Sequence, residues 1–220
     1  MKDKKCIVLL SGGLDSTTTL YYAVKNGYKP ICLIFDYGQR HKKEINSAIK
    51  IANLLGLKYF VVKISLPWKG SSLLDKKMRI PRYVRKRQIP STYVPARNII
   101  FLSIATSLAE VYKVQYIFYG ANQVDFSGYP DCRKEFIKSF EKMINKGTKV
   151  GVKGGKVTVV APLINMTKSE IVKLAVKLGV PLEYTWSCYR GGRKPCGICP
   201  TCKLRYKGFK EAGINDPLLV

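Results

Sequence analysis

The sequence predicts an α/β fold, a Rossmann-like parallel sheet with flanking helices, followed by a small C-terminal zinc-binding region. Three observations predict it. Short apolar runs alternate with helix-period segments from the start of the chain, which means parallel strands joined by right-handed crossovers. The first apolar run opens into Ser11-Gly12-Gly13-Leu14-Asp15-Ser16, a loop with two adjacent glycines ahead of a helical stretch. Four of the seven cysteines crowd into residues 188–202.

The elements follow in order. Cys6–Leu10 reads as a buried strand, and residues 16–26 as a helix with Leu20, Ala23 and Val24 on its core face, closed by Asn26-Gly27. Residues 31–35 give a second strand. Residues 41–55 carry Ile45, Ala48, Ile49, Ala52 and Leu55 at helical spacing, stopped by Gly56. Residues 59–64 form a third strand. The rhythm then breaks: residues 65–95 hold four prolines, with eight basic side chains against Asp75 alone between Lys69 and Arg87. An irregular insertion of that length in a compact domain is functional or disordered, and it reads as a mobile flap. Alternation resumes with a helix over about 97–111, a strand over 116–120, a helix over about 132–146, a Gly/Lys-rich turn over 147–156 and a strand over 157–163. Thr167 N-caps the next helix, with Glu170 completing a capping box and Ile171, Leu174, Ala175 and Leu178 facing the core. Residues 1–183 are therefore expected to form one α/β domain and residues 184–220 a metal-binding tail.

The totals bound the function. No apolar run approaches the roughly 18 residues of a membrane span, and the five-residue apolar run near the start is too short for a secretory signal. A cysteine cluster without such a signal argues for metal in a reducing compartment, and a cytoplasmic location is expected. The formal charge of +25 fits an anionic partner or a lysine-rich solvated surface.

A strand, a glycine loop and a helix N-terminus together suit phosphate: backbone N–H groups point into a concavity, and the helix dipole favours negative charge. Ser11, Ser16 and Thr17 add hydroxyls. The G-K-[ST] ending of a Walker A loop is absent, as is G-x-G-x-x-G. In the tail, Cys188-x7-Cys196-x2-Cys199-x2-Cys202 is able to wrap a tetrahedral ion in a closed four-thiolate site, which is structural. An iron–sulfur cluster is the rival, but the fourth cysteine of the bacterial ferredoxin run is missing, since Lys203 to Tyr206 follow. Cys6 and Cys32 sit inside strand runs and read as core; Cys132 reads as the N-terminus of the following helix.

SGGLDS resembles the pyrophosphate loop S-G-G-x-D-S of the ATP pyrophosphatases, which split ATP between its α- and β-phosphates and adenylate an oxygen. By chance its five fixed letters recur on the order of once per million positions. Together with FDYGQRHKKE (35–44), YVPARN (93–98), GANQVDFSGYPDCR (120–133) and TWSCYRGGRKPCGICPTCKLR (185–205), it makes the chain similar to the 7-cyano-7-deazaguanine synthase family from residue 6 to about 210. The resemblance implies an adenine nucleotide alpha hydrolase-like fold and the conversion of 7-carboxy-7-deazaguanine and ammonia to the nitrile. Carboxylate and amide are adenylated in turn, on the way to queuosine or archaeosine. It also implies ATP, Mg2+ and Zn2+ as cofactors and a homodimer, with no membrane partner and no requirement for nucleic acid.

On that reading Leu10, Ser11, Gly12, Gly13, Leu14, Asp15, Ser16 and Thr17 hold the nucleotide, with Asp36, Gln39 and Arg40 at the adenosine edge. Asp15 partners a phosphate-bound magnesium, since a carboxylate beside a triphosphate is otherwise repulsive. Arg97 grips phosphate as a fork, and Lys168 sits where an anion is favoured. Asp125, Ser127, Tyr129 and Asp131 read the guanine-like edge or serve as turn residues. Cys188, Cys196, Cys199 and Cys202 hold zinc. His41 is a proton shuttle or a polar helix start. Two other classes stay open: a thiolase-like tRNA-modifying enzyme, which needs a pair of reactive cysteines near ATP, and a non-enzymatic zinc module binding nucleic acid through its tail.

Overall fold

The computed structural model describes residues 4–82, 88–122 and 129–219. Five strands, β1 (Lys4–Leu9), β2 (Tyr28–Asp36), β3 (Tyr59–Lys63), β4 (Tyr116–Phe118) and β5 (Thr158–Val160), form one sheet in the order β3-β2-β1-β4-β5. Every pairing is parallel. The strand order reverses between β1 and β4, and ligands bind open parallel sheets at such a switch point, beyond the carboxyl ends of the strands.

The strands are apolar on both faces because helices cover both. Ile7, Leu9, Leu33, Phe35, Ile117 and Val159 face one layer, where α3 (Arg97–Tyr112) and α4 (Lys134–Gly147) pack. Cys6, Val8, Leu10, Cys32, Ile34 and Phe118 face the other, under α1 (Leu14–Lys25) and α2 (Lys43–Leu54). Cys6 and Cys32 are core, as expected, and burial pushes each thiol up to about 12, so neither is a thiolate at neutral pH.

Helix α1 departs from a simple apolar stripe. Ser16, Thr17, Thr18 and Thr19 are buried with Leu20 and Ala23, whereas Val24 is 37% exposed. The helix tolerates this because Thr17 and Thr18 donate their hydroxyls to the carbonyls of Gly13 and Leu14 at 2.8 and 2.7 Å. In α2, Ile51 is buried beside Ile45, Ala48 and Ala52. The expected turn at 147–156 contains a one-turn helix, α5 (Lys149–Val152), capped by Thr148. Part of the 65–95 stretch packs on the body: Leu66, Leu73 and Val94 enter the core under α3, and Ser71, Ser72 and Thr92 are buried, while residues 83–87 lie outside the described residues.

Helix α6 (Lys168–Lys177) carries the expected capping box. Glu170 N–H donates to Thr167 Oγ1 at 3.3 Å, and Thr167 N–H donates to Glu170 Oε2 at 2.8 Å. Its Ile171, Val172 and Ala175 pack with Leu14 of α1 and Phe209 of the last helix, α7 (Pro200–Ala212). Among the described residues no helix is long and apolar enough to cross a membrane.

Candidate active site and metal centre

A cleft of about 270 Å³ opens at the carboxyl ends of β1, β2 and β4, the switch point of the sheet. Leu10, Ser11, Gly13, Leu14, Asp15 and Ser16 line it. Ser11 Oγ and Ser16 Oγ share a hydrogen bond at 2.9 Å, and Gly13 N–H turns back to Ser11 Oγ at 3.4 Å. The N-terminus of α1 has no side-chain cap, so its first-turn donors face the cleft available to an anion. Gly12 and Thr17 do not line the cleft. Thr17 turns its hydroxyl into the helix. Gly12 is needed for packing: it has φ +77°, and a Cβ there would lie 2.3 Å from the Glu44 carbonyl oxygen and 2.6 Å from Ala48 N.

Asp15 is held from two sides. Lys168 Nζ, from the start of α6, donates to both carboxylate oxygens at 2.8 and 2.6 Å, and Asn122 Nδ2 donates to Oδ2 at 2.9 Å. Lys168 is not among the cleft-lining residues; it reaches the site through Asp15. Asn122, fully buried beyond β4, is a site residue that sequence reading passed over. It stood inside a quoted motif, two residues past a strand end at the switch point, and that placement was the available signal. Gly120 was passed over too. A Cβ on it would sit 3.0 Å from Ser16 N and 3.1 Å from Asp15 C, so any side chain there would push the phosphate-loop backbone back by a few tenths of an ångström.

Arg97, the first residue of α3, lines the cleft with its Nη1 donating to Tyr37 Oη at 3.3 Å and its guanidinium over the Tyr37 and Phe101 rings. Burial opposes its charge, but the Tyr37, Tyr189 and Tyr129 phenols outweigh it and shift the pKa upward. Among the described residues Arg97 makes no ion pair with a carboxylate, so it presents a cation to the cleft.

The residues expected at the adenosine edge divide. Asp36 pairs with Lys42 and does not line the cleft. Gln39 lines it while bracing its own turn, accepting from Tyr37 N–H at 2.9 Å and donating to the Phe35 carbonyl at 3.1 Å. Arg40 also lines it, but its guanidinium donates to the carbonyls of Ser72, Asp75 and Met78 and so anchors the 65–95 segment. Of the residues expected to read the substrate base, Asp125 and Ser127 lie outside the described residues. Tyr129 lines the cleft, its hydroxyl sharing a hydrogen bond with Thr92 Oγ1 at 3.0 Å. Asp131 does not line it: buried, it accepts from Asn98 N–H at 3.1 Å and closes the first turn of α3.

The four tail sulfurs lie within 4.8 Å of one another. Tetrahedral zinc with Zn–S bonds near 2.3 Å sets S···S separations of about 3.8 Å, and Cys196 Sγ to Cys202 Sγ is 3.9 Å. The amides of Arg190 and Cys196 both point at Cys188 Sγ at 3.4 Å. Hydrogen bonding among the sulfurs lowers the pKa of the Cys199 thiol and raises those of Cys188 and Cys202, so the cluster shares its protons. The donor set fits a closed structural metal site.

The cysteine region is fastened to the cleft. Trp186 N–H donates to the Gly12 carbonyl at 2.8 Å, and Lys43 reaches Gly192 and Arg193 carbonyls across the Trp186 ring. His41 Nε2–H donates to the Cys188 carbonyl at 2.8 Å. His41 also lines the cleft, and burial lowers its pKa, keeping the ring neutral.

A parallel sheet whose switch-point cleft is floored by an uncapped glycine loop and an aspartate bound to lysine defines a nucleotide-phosphate-binding α/β protein of the pyrophosphate-loop class. NMN synthetase from Francisella tularensis superposes with a TM-score of 0.53 over 99% of this chain and 82% of that one at 14% identity, which establishes the fold. The model of the family described as queuosine biosynthesis protein QueC matches residues 5–213, and the chain belongs to that family. Proteins named 7-cyano-7-deazaguanine synthase in Acetivibrio thermocellus and 7-cyano-7-deazaguanine synthase 2 in Desulfitobacterium hafniense are 54% and 50% identical over 216 residues. Each alignment spans 98% of this chain, and 97% and 92% of those proteins.

Proposed function

We infer that the chain is an ATP-dependent ligase that converts 7-carboxy-7-deazaguanine and ammonia to 7-cyano-7-deazaguanine, through an adenylated carboxylate and then an adenylated amide. One observation carries the inference: in a member of this family Asp15 lines the cleft beside the glycine loop and is held there by Asn122 and Lys168. Carboxylate and amide oxygens leave poorly, and each departs readily once it is part of a phosphate ester. The protein therefore has positioning and charge neutralisation to supply rather than covalent chemistry.

The loop amides and Ser11 hold the triphosphate. Asp15 keeps a free lone pair on Oδ1 after its bonds to Lys168, which suits a magnesium ion that would neutralise phosphate charge when bound. Lys168 and Asn122 fix the carboxylate so that it meets that ion in one orientation. Arg97, charged and lacking a carboxylate partner among the described residues, orients the anionic end of the substrate or the α-phosphate it joins. Tyr129 and Thr92 flank the deazapurine. Cys188, Cys196, Cys199 and Cys202 would hold zinc, which would fix the tail that Trp186 and His41 fasten to the phosphate loop and to the start of α2. The reduced thiols that a metal there requires agree with a cytoplasmic enzyme.

The thiolase alternative needs two reactive cysteines beside the nucleotide, and among the described residues Cys132 is the lone cysteine lining the cleft. Mass spectrometry after incubation with 7-carboxy-7-deazaguanine, ammonium and Mg-ATP tests the inference. Nitrile product with AMP supports it; ATP consumption that depends on tRNA overturns it.

A further inference from the structure

One carboxyl group in the cleft has no part in the reading above. Glu44 stands in the first turn of α2, lines the cleft, and has its backbone carbonyl packed against Gly12 of the phosphate loop. Among the described residues its side chain makes no hydrogen bond and no ion pair. A carboxyl kept among protein groups without a donor is costly unless something else supplies one. Among the described residues the charged and titratable groups near it are Arg97 in the cleft, Cys199 of the metal centre, and Tyr37 and His41 on the segment before α2. Burial dominates over the Arg97 charge and lifts its pKa to about 7.

The reaction needs a base at this place. When ammonia attacks the adenylated carboxylate, its lone pair forms the C–N bond. The C–O bond to phosphorus-bound oxygen breaks, and its electron pair leaves with AMP. The nitrogen must shed one proton to become a neutral amide. Asp15 has Lys168 and Asn122 on its oxygens, and the Nδ1 atom of His41 is closed off from the cleft while Nε2 is engaged by Cys188. We propose that Glu44 accepts the proton shed by ammonia as the amide forms and returns it to solvent. The proposal rests on the ligase reading.

Hydroxylamine tests it, because its attacking nitrogen is far more acidic after addition and gives its proton to water unaided. Glu44→Gln is expected to keep carboxylate-dependent ATP–pyrophosphate exchange within about threefold of wild type, and to lose about 10²- to 10⁴-fold in amide formation from ammonia. With hydroxylamine the loss is expected to shrink below about tenfold, and Glu44→Asp to recover part of the ammonia rate. Equal losses with both nucleophiles overturn the proposal, as does exchange lost in the variant but present in wild type, or ammonia-dependent turnover left intact. Exchange absent from the wild type instead overturns the ligase reading.

Discussion

Arg205–Asp216 and Lys168–Asp15, two ion pairs of the described residues, are built to opposite specifications. Arg205–Asp216 is sealed, its side chains 5% and 3% exposed. The guanidinium donates to both carboxylate oxygens at 2.7 and 2.9 Å, to Thr185 Oγ1 at 2.7 Å and to the Leu182 carbonyl at 3.3 Å. Lys168–Asp15 is open, with side chains 14% and 23% exposed, Asp15 lining the cleft and its Oδ1 accepting a single hydrogen bond among the described residues. A saturated pair fixes the chain; a pair with unused bonding capacity fixes a side chain for something that arrives later. The same two kinds of charge thus serve architecture at α7 and chemistry at the phosphate loop.

Breaking each pair sharpens the contrast. Asp15→Asn should reduce AMP-forming turnover by roughly 10³-fold, the scale of a lost electrostatic group in a preorganised site, with the melting temperature nearly unchanged. Arg205→Leu should do the reverse. Leaving Asp216 buried and unpaired costs about 3–5 kcal/mol, or roughly 6–20 °C by calorimetry for a chain of this size, while turnover per folded molecule holds. A variant of Asp15 that melts early, or one of Arg205 that folds normally, would erase the distinction.

Thr167→Ala lies between the two. It removes the cap that aims α6, and with it Lys168, toward Asp15. A loss of about 1 kcal/mol in stability is expected in denaturant titrations, with a several-fold loss of turnover. The smallest effect concerns pH. Glu44 has a folded-state pKa near 7, above its unfolded value, so the folded state binds the proton more tightly. Its contribution to stability is present below the unfolded pKa and fades as pH rises through about 7. Glu44→Gln should therefore match wild type near pH 4 and exceed it at pH 8; equal curves at both would show that the carboxyl is not strained.

Much of this was legible in the residues. Alternating apolar runs gave the strand–helix rhythm, and in the α6 cap the side chains that the letters T-K-S-E imply do bond as a box. The cysteine spacing foretold four sulfurs converging. What stayed hidden depends on tertiary placement. Lys168 reads as a phosphate ligand until α6 is seen to carry it onto Asp15 from 153 residues away. Asp131 reads as a base-reading carboxylate until α3 packs its first turn against it. Arg40 looks free until the 65–95 segment folds three carbonyls onto it. The buried Thr17 and Thr18 of α1 defeat a hydropathy reading, because their hydroxyls are satisfied within the helix itself.

The central claim, that the phosphate loop delivers AMP to a substrate oxygen, is tested most directly by isotope transfer. With both carboxylate oxygens of 7-carboxy-7-deazaguanine labelled with oxygen-18, two AMP molecules should appear per nitrile, each carrying one labelled oxygen. Unlabelled AMP, or label in pyrophosphate or inorganic phosphate, would contradict it.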